Sequence, residues 1–324
     1  MFQRYPLITV VFLFALGLAG GYFLKQRSVS PTPHLQPPLT LFREETPSGA
    51  SGDFGSLLKK SISPEASQQP QAAEPDSTTQ TNKLKKTEPP EPKPLTFAEM
   101  NQLYGPCVSV PVLFYHHVQP LERAQAEFNQ SLTVDINVFT EQMNYLQAQG
   151  YTTITMQQLV DFFSSGAGLP AKPVLLTFDD AYDDFFSDVF PVLNERDMKA
   201  TVFVPTALVG AAGYLTWGQI EEMRSFGSIL FANHTVNHKG MTGSTSDQTE
   251  ILNADTLLTE HNLNHPKVFA YPYGYSTQNA VNYLKELGYL LAFTTNSGRT
   301  LCSKQRYVLP RVRVGGGSLA GYGL

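Results

Sequence analysis

The chain has 324 residues, with 28 acidic and 23 basic side chains for a net charge of −5, and two cysteines. That balance, with no basic stripe interleaved with aromatics, excludes nucleic acid as a partner. Cysteines outside any CxxC pair and away from histidine exclude a zinc knuckle or a thiol nucleophile, and an uneven composition points to one globular domain with an appendage.

An apolar run at 6–24, preceded by Arg4 and followed by Lys25 and Arg27, is long enough to cross a hydrocarbon core. A secretory apolar region is usually shorter and no A-x-A site follows. Residues 1–27 therefore read as a signal-anchor in preference to a cleaved signal peptide, with orientation left open by charge on both flanks. Residues 28–94 are rich in Pro, Ser, Thr, Gln, Glu and Lys and cannot bury enough apolar surface to offset their conformational entropy. They read as a disordered linker spanning about 45 Å as a flexible coil.

The globular domain is expected over 95–324. VSVPVLFYHHV at 108–118 reads as a first strand ending in His116 and His117. A helix is expected from Asp135, with Phe139, Met143 and Leu146 at helical spacing and Gly150 as its stop. Thr155 and Gln158 make a capping box for the next. VLLTFDD at 174–180 reads as a buried strand that stops at two carboxylates. A helix through Phe185 and Val189, broken or restarted at Pro191, follows, then a strand ATVFV at 200–204. Thr216 and Gln219 cap another helix. Strands at 229–232, 268–271 and 290–293, helices at 250–260 and 278–287, and a closing segment at 308–312 complete the series. Strands alternating with helices imply a parallel sheet with helices outside, here an α/β fold of the irregular or incomplete (β/α) barrel type.

The pair Asp179–Asp180 reads either as a solvated turn or as two repelling carboxylates held beside a cation. His234 and His238, four apart, would share one face of a helical turn, and such a pair alone is usually structural. Their position changes the weighing. Both pairs directly follow buried strands, so both project at one rim, the carboxyl end at which parallel α/β folds carry their chemistry. Two imidazoles and one carboxylate leave coordination open on a divalent ion, as a catalytic site requires. The other carboxylate is then free to act as a base.

TFDD at 177–180, NHTVNH at 233–238 and FAYPYG at 269–274, in this order, resemble the motifs of the polysaccharide deacetylases, carbohydrate esterase family 4 with its NodB-homology domain, over about 106–324. The resemblance implies metal-dependent hydrolysis of N-acetyl groups on an N-acetylhexosamine polymer such as poly-N-acetylglucosamine, peptidoglycan or a chitin-like chain. Residue by residue it implies Asp179 as catalytic base and Asp180, His234 and His238 as ligands of a divalent metal, usually Zn2+. The backbone N–H of Tyr273 is implied as an oxyanion donor. The ion would polarise the amide carbonyl and activate the attacking water. Tyr271, Tyr273 and Tyr275 are expected to line a glycan groove, while Trp217 either stacks on sugar or packs within the fold.

Two departures from the family pattern carry expectations of their own. Many members pair the base with an arginine at the position that here is Ala270, so Arg311 is expected to substitute for it, with Arg313 second. No Leu-x-His near the C-terminus supplies the general acid. The order of motifs is similar to a permuted poly-N-acetylglucosamine deacetylase subgroup with the acid on the first strand, which assigns that role to His116. His117 would point the other way and be packed or solvent-facing. Asp183 and Asp184 are expected to form a charged first helical turn.

Cys107 and Cys302 precede the first and last strands and are expected to form a disulfide, which export permits. An extracytoplasmic polymer places the domain outside the cytoplasmic membrane, anchored there or secreted after cleavage. The alternative from another class is a carbohydrate-binding or cell-envelope scaffold without turnover, for which Ala270 is the hint. A metallophosphoesterase is disfavoured because no second set of bridging ligands is evident. Selectivity among polymers is expected in loops 119–133 and 207–215.

Overall fold

The computed structural model describes residues 93–324. The expected membrane segment at 1–27, and the expected linker at 28–94 apart from its last two residues, lie outside them. Seven parallel strands, numbered here in chain order, form a closed ring: β1 Val112–Tyr115, β2 Pro173–Phe178, β3 Ala200–Val204, β4 Ile229–Asn233, β5 Val268–Ala270, β6 Leu291–Ser297 and β7 Leu309–Arg313. Each strand pairs with the next, and β1 pairs with both β2 and β7, which closes the ring. The barrel is thus one strand short of the common eight. Its thinnest seam lies between β4 and β5, paired through Asn233 and Phe269 alone.

Alternation along the strands builds the two sides of this ring. Val112, Leu175, Phe203, Ala232, Ala270, Phe293 and Leu309 form one buried cluster inside it, joined by Met156, Leu159 and Phe163 of the helix Met156–Ser165. The intervening residues, among them Leu113, Leu176, Phe178, Val202 and Phe231, pack outward against Phe139, Met143, Phe185 and Met223 of the surrounding helices. The helix starts are set locally. The Thr155 and Thr216 capping boxes both close reciprocally, and Gly166 ends its helix in the left-handed conformation that a C-terminal cap requires.

The structure corrects several boundaries. Residues 108–118 do not form one strand. Cys107–Ser109 pairs antiparallel with Thr300–Cys302 outside the ring, β1 follows Pro111, and His117–Gln119 pairs with Thr133–Asp135. Proline has no N–H to donate, so a continuous ladder is interrupted there. At Pro191 the helix restarts, one of the two expected outcomes. A π-helical segment Phe185–Val189 runs directly into Phe190–Glu195, with Pro191 in the first turn where its missing N–H has no cost. The helix expected at 250–260 begins at Thr245, preceded by a turn whose N–H groups at Thr242 and Gly243 donate to Asp247. Cys107 and Cys302 are disulfide-bonded, 195 positions apart in the chain.

Candidate functional site

Inside β2 the alternation that turns Leu175 and Thr177 inward also points Asp179 into the barrel mouth. An extended Asp180 would then face outward. Instead Asp180 and Ala181 take left-handed backbone angles, φ 75° and 57°, which turn the second carboxylate back to the mouth. The segment after β4 behaves in the same way. It is a kinked loop and not the helical turn that the spacing of His234 and His238 implies, with Thr235 at φ 70° and His238 at φ 53°. Of nine described non-glycine residues with positive φ, four (Asp180, Thr235, His238 and Tyr273) belong to the three motif segments and a fifth, Ala181, directly follows the first. Backbone strain of this kind persists only where the surroundings over-determine it.

Those surroundings are identifiable. Asn233 Oδ1 accepts the Thr235 N–H at 2.7 Å, and Glu250 accepts the N–H groups of Val236 and Asn237 and the Asn237 amide at 3.1, 2.8 and 2.8 Å. Sequence reading missed Glu250. Its one signal was a carboxylate in the buried stripe that Ile251, Ala254 and Leu258 mark on the helix Thr245–Glu260.

His234 Nδ1–H donates to the carbonyl of Ala270 at 2.8 Å, which leaves Nε2 as the free lone pair. That nitrogen lies 3.4 Å, and His238 Nε2 3.1 Å, from Asp180 Oδ1. Yet Asp180 Oδ1 is buried and accepts no hydrogen bond. Ligand atoms of all three residues lie within 4.8 Å of one another. An orphaned buried carboxylate oxygen facing two imidazole nitrogens is a donor set that fits a divalent cation. Burial disfavours charge on Asp180, but the two imidazoles outweigh it and hold the carboxyl well below the usual range. Burial likewise opposes charge on His234, and Asp180 and Asp179 overcome it, keeping its proton affinity above that of an ordinary histidine.

On β7, Leu309, Arg311 and Arg313 share the inner face. Arg311 has no exposed surface. Its two terminal nitrogens donate to the two Asp179 oxygens at 2.8 and 2.7 Å, Nε donates to the Thr294 carbonyl at 2.9 Å, and Nη1 also reaches Thr177 Oγ1 at 3.3 Å. The guanidinium plane lies 4.4 Å from the centre of the Phe114 ring, a contact favourable to a planar cation. Burial pushes the Asp179 pKa up, and Arg311 with the nearby imidazoles more than reverses this, leaving it below the usual carboxylate range. Ala270 supplies only its carbonyl, to His234, so Asp179 is held by Arg311 from another strand.

His116 follows β1 on the inner face, its ring 5.9 Å from that of Phe114. Burial lowers its pKa while Asp179 and Asp180 pull it back up. His117 points outward and is packed. Its Nδ1 lies 2.5 Å from Asp184 Oδ2 and its ring stacks on Tyr182 at 3.6 Å. Asp184 stands at the start of the next helix, as expected, but it is fully buried there and bound to His117. Asp183 pairs with Arg123 at 2.7 Å. No motif marked Tyr182.

The aromatic residues divide. Tyr271 is buried, its hydroxyl donating to the Tyr307 carbonyl at 3.0 Å, and cannot line a groove. Strand alternation places it outward because Ala270 faces in. Tyr273 and Tyr275 are 62% and 71% exposed, and the Tyr273 ring lies 4.8 Å from that of His238. Their turn requires glycine at 274, where φ is 80° and a Cβ would collide with Thr295 Oγ1. Trp217 stacks face to face on His261 at 3.9 Å, so that face is closed to sugar.

The chain is also similar to known proteins. A family model described as polysaccharide deacetylase matches residues 166–292, a span that contains all three motifs. The chain is 31% identical over 210 residues to YxkH of Bacillus subtilis (strain 168), named as a polysaccharide deacetylase, covering 64% of this chain and 72% of YxkH. It is 28% identical over 271 residues to the poly-beta-1,6-N-acetyl-D-glucosamine N-deacetylase of Escherichia coli (strain K12), covering 70% of this chain and 39% of that protein. The Streptococcus pyogenes deacetylase PplD, solved in complex with acetate, superposes with a TM-score of 0.57 at 30% identity, over 64% of this chain and 92% of PplD.

Proposed function

Since the chain belongs to the polysaccharide deacetylase family, we propose that it is a metal-dependent N-deacetylase acting on an extracytoplasmic N-acetylhexosamine polymer. The observation that carries this reading is the meeting, at one mouth, of the Arg311-paired Asp179 with Asp180, His234 and His238. Asp180, His234 and His238 would hold a divalent ion, with Zn2+ suited to two imidazoles and a carboxylate. When bound, the ion supplies Lewis acidity, which activates water and polarises the amide carbonyl. Asp179, kept ionised by Arg311, takes the proton of the attacking water. The Tyr273 N–H donates to the developing oxyanion. His116 protonates the departing amine, completing cleavage of the C–N bond to acetate and a free amino sugar.

The name of the Escherichia coli relative supports an N-acetylglucosamine backbone among the possible polymers. The N-terminal apolar run and the disulfide fit an exported, membrane-anchored or secreted domain. Ala270, which on its own favoured a binding protein without turnover, loses that force beside the Arg311–Asp179 pair. The test is acetate release from N-acetylglucosamine oligomers by the metal-loaded full chain, with and without chelator. Oligomer binding without any acetate release would overturn the reading in favour of a binding protein.

A further inference from the structure

We propose that the mouth beside His116 carries a recognition site for an anionic substituent of the polymer, a carboxylate or a phosphate, centred on Arg313. This rests on the deacetylase reading and deepens it by naming the substrate class. Arg311 and Arg313 lie on the same face of β7, two residues and so about 7 Å apart along the strand. Arg311 sits below, wholly occupied by Asp179, Thr177 and Thr294. Arg313 ends the strand at the rim and is exposed, and its side chain has no carboxylate or hydrogen-bond partner among the described residues.

Two cavities meet at Arg313. One, of about 270 Å³, lies between it and His116, with the hydroxyl-bearing Ser131, Thr133 and Tyr322 on its walls. The other, of about 260 Å³, shares Arg313 and Tyr322 with it and adds Arg299, Arg311 and Ser297. Neither is lined by an acidic side chain. Arg299 is held in place by donating from Nη1 to the Gly323 carbonyl at 2.5 Å, so its guanidinium is fixed at this rim. Two guanidinium groups with hydroxyls around them and no carboxylate are the chemistry of an oxyanion site. Its position gives it consequence. An acetamide placed between Asp179 and His116 brings the remaining substituents of that sugar, or of its neighbour, into the cavity that Arg313 shares with His116. The same two cations disfavour a neighbouring sugar that already carries a free ammonium group.

The test uses the metal-loaded full chain and three probes on one N-acetylglucosamine backbone: unsubstituted, bearing an O3-lactyl carboxylate, and bearing an O6-phosphate. Acetate release at low salt should be about tenfold more efficient on an anionic probe, as expected for one charge-assisted contact, and the better of the two anionic arms identifies the source. Arg313→Gln should collapse that ratio and Arg313→Lys should keep most of it, which separates charge from folding. An unsubstituted probe used equally well by the parent chain, or an undiminished ratio in Arg313→Gln, overturns the site. Equilibrium binding of the same probes to an Asp179→Asn chain keeps the two readings apart. An anionic preference in binding with no acetate released from any probe by the parent chain upholds the site and sinks the deacetylase reading. Acetate release with no anionic preference in either measurement sinks the site alone.

Discussion

Arg311 grips both oxygens of Asp179, at 2.8 and 2.7 Å, from a position with no access to solvent. A carboxylate held this way stays ionised below the usual carboxylate range, and it is also positioned, because a planar fork permits one orientation of it.

Replacing Arg311 with Met should therefore let burial control Asp179. Its pKa rises from a depressed value to an elevated one, so the acid limb of kcat/KM moves to higher pH. The stability linkage has the matching sign. In the parent chain the pair contributes fully above the unfolded carboxylate value near 3.9 and is lost as pH falls through the lower folded value. Removing one partner of such a buried pair costs about 3–5 kcal/mol at neutral pH. Urea unfolding at pH 7 and a pH–rate profile check both, and an unmoved acid limb would refute the role given to Arg311.

Metal loading should be measurable without turnover. The proposed ligands predict about one zinc per chain, with a melting temperature that falls by several degrees on chelation, since an ion present at 100 times its dissociation constant contributes about 2.7 kcal/mol. Acid should release the ion, because the imidazoles must be neutral to bind it and that of His234 holds its proton more tightly than usual. In His238→Ala the chelator-dependent shift should disappear. A chelator shift of equal size in that variant would place the ion elsewhere.

The two adjacent histidines should separate kinetically. His116→Ala is expected to lower kcat by about 10²–10⁴-fold with little change in stability, the usual contribution of a positioned general acid. His117→Ala leaves Asp184 buried without its partner, which costs about 1–3 kcal/mol of stability and should change kcat far less. Near-parental turnover in His116→Ala would remove its assignment.

The Cys107–Cys302 bond closes a loop with a sequence separation of 195. Chain-entropy arguments put its contribution at about 2–5 kcal/mol, so Cys107→Ser with Cys302→Ser should lower the melting temperature while leaving the ring intact. Non-reducing mass analysis should find no free thiol in the parent chain, and two free thiols would contradict the bond.

Much of this molecule was determined by the sequence alone, wherever the cause is local. The capping boxes at Thr155 and Thr216, the strand ATVFV and the place of the Asp179–Asp180 and His234/His238 pairs directly after buried strands follow from spacing and alternation within a few residues. Only the tertiary structure decided matters that depend on how the ring closes. Alternation says that Arg311 and Arg313 share a face, and the register of β7 against β1 places the first beneath Asp179 and the second at the mouth. Left-handed backbone at Asp180 reverses the direction that strand alternation assigns to it, and at Thr235 and His238 it replaces the expected helical turn. The burial of Asp184 against His117, and of Tyr271 against Tyr307, depends on partners 67 and 36 positions away. A period in the sequence sets which side a residue faces, but its height and its partner are set by strands that meet only when the barrel closes.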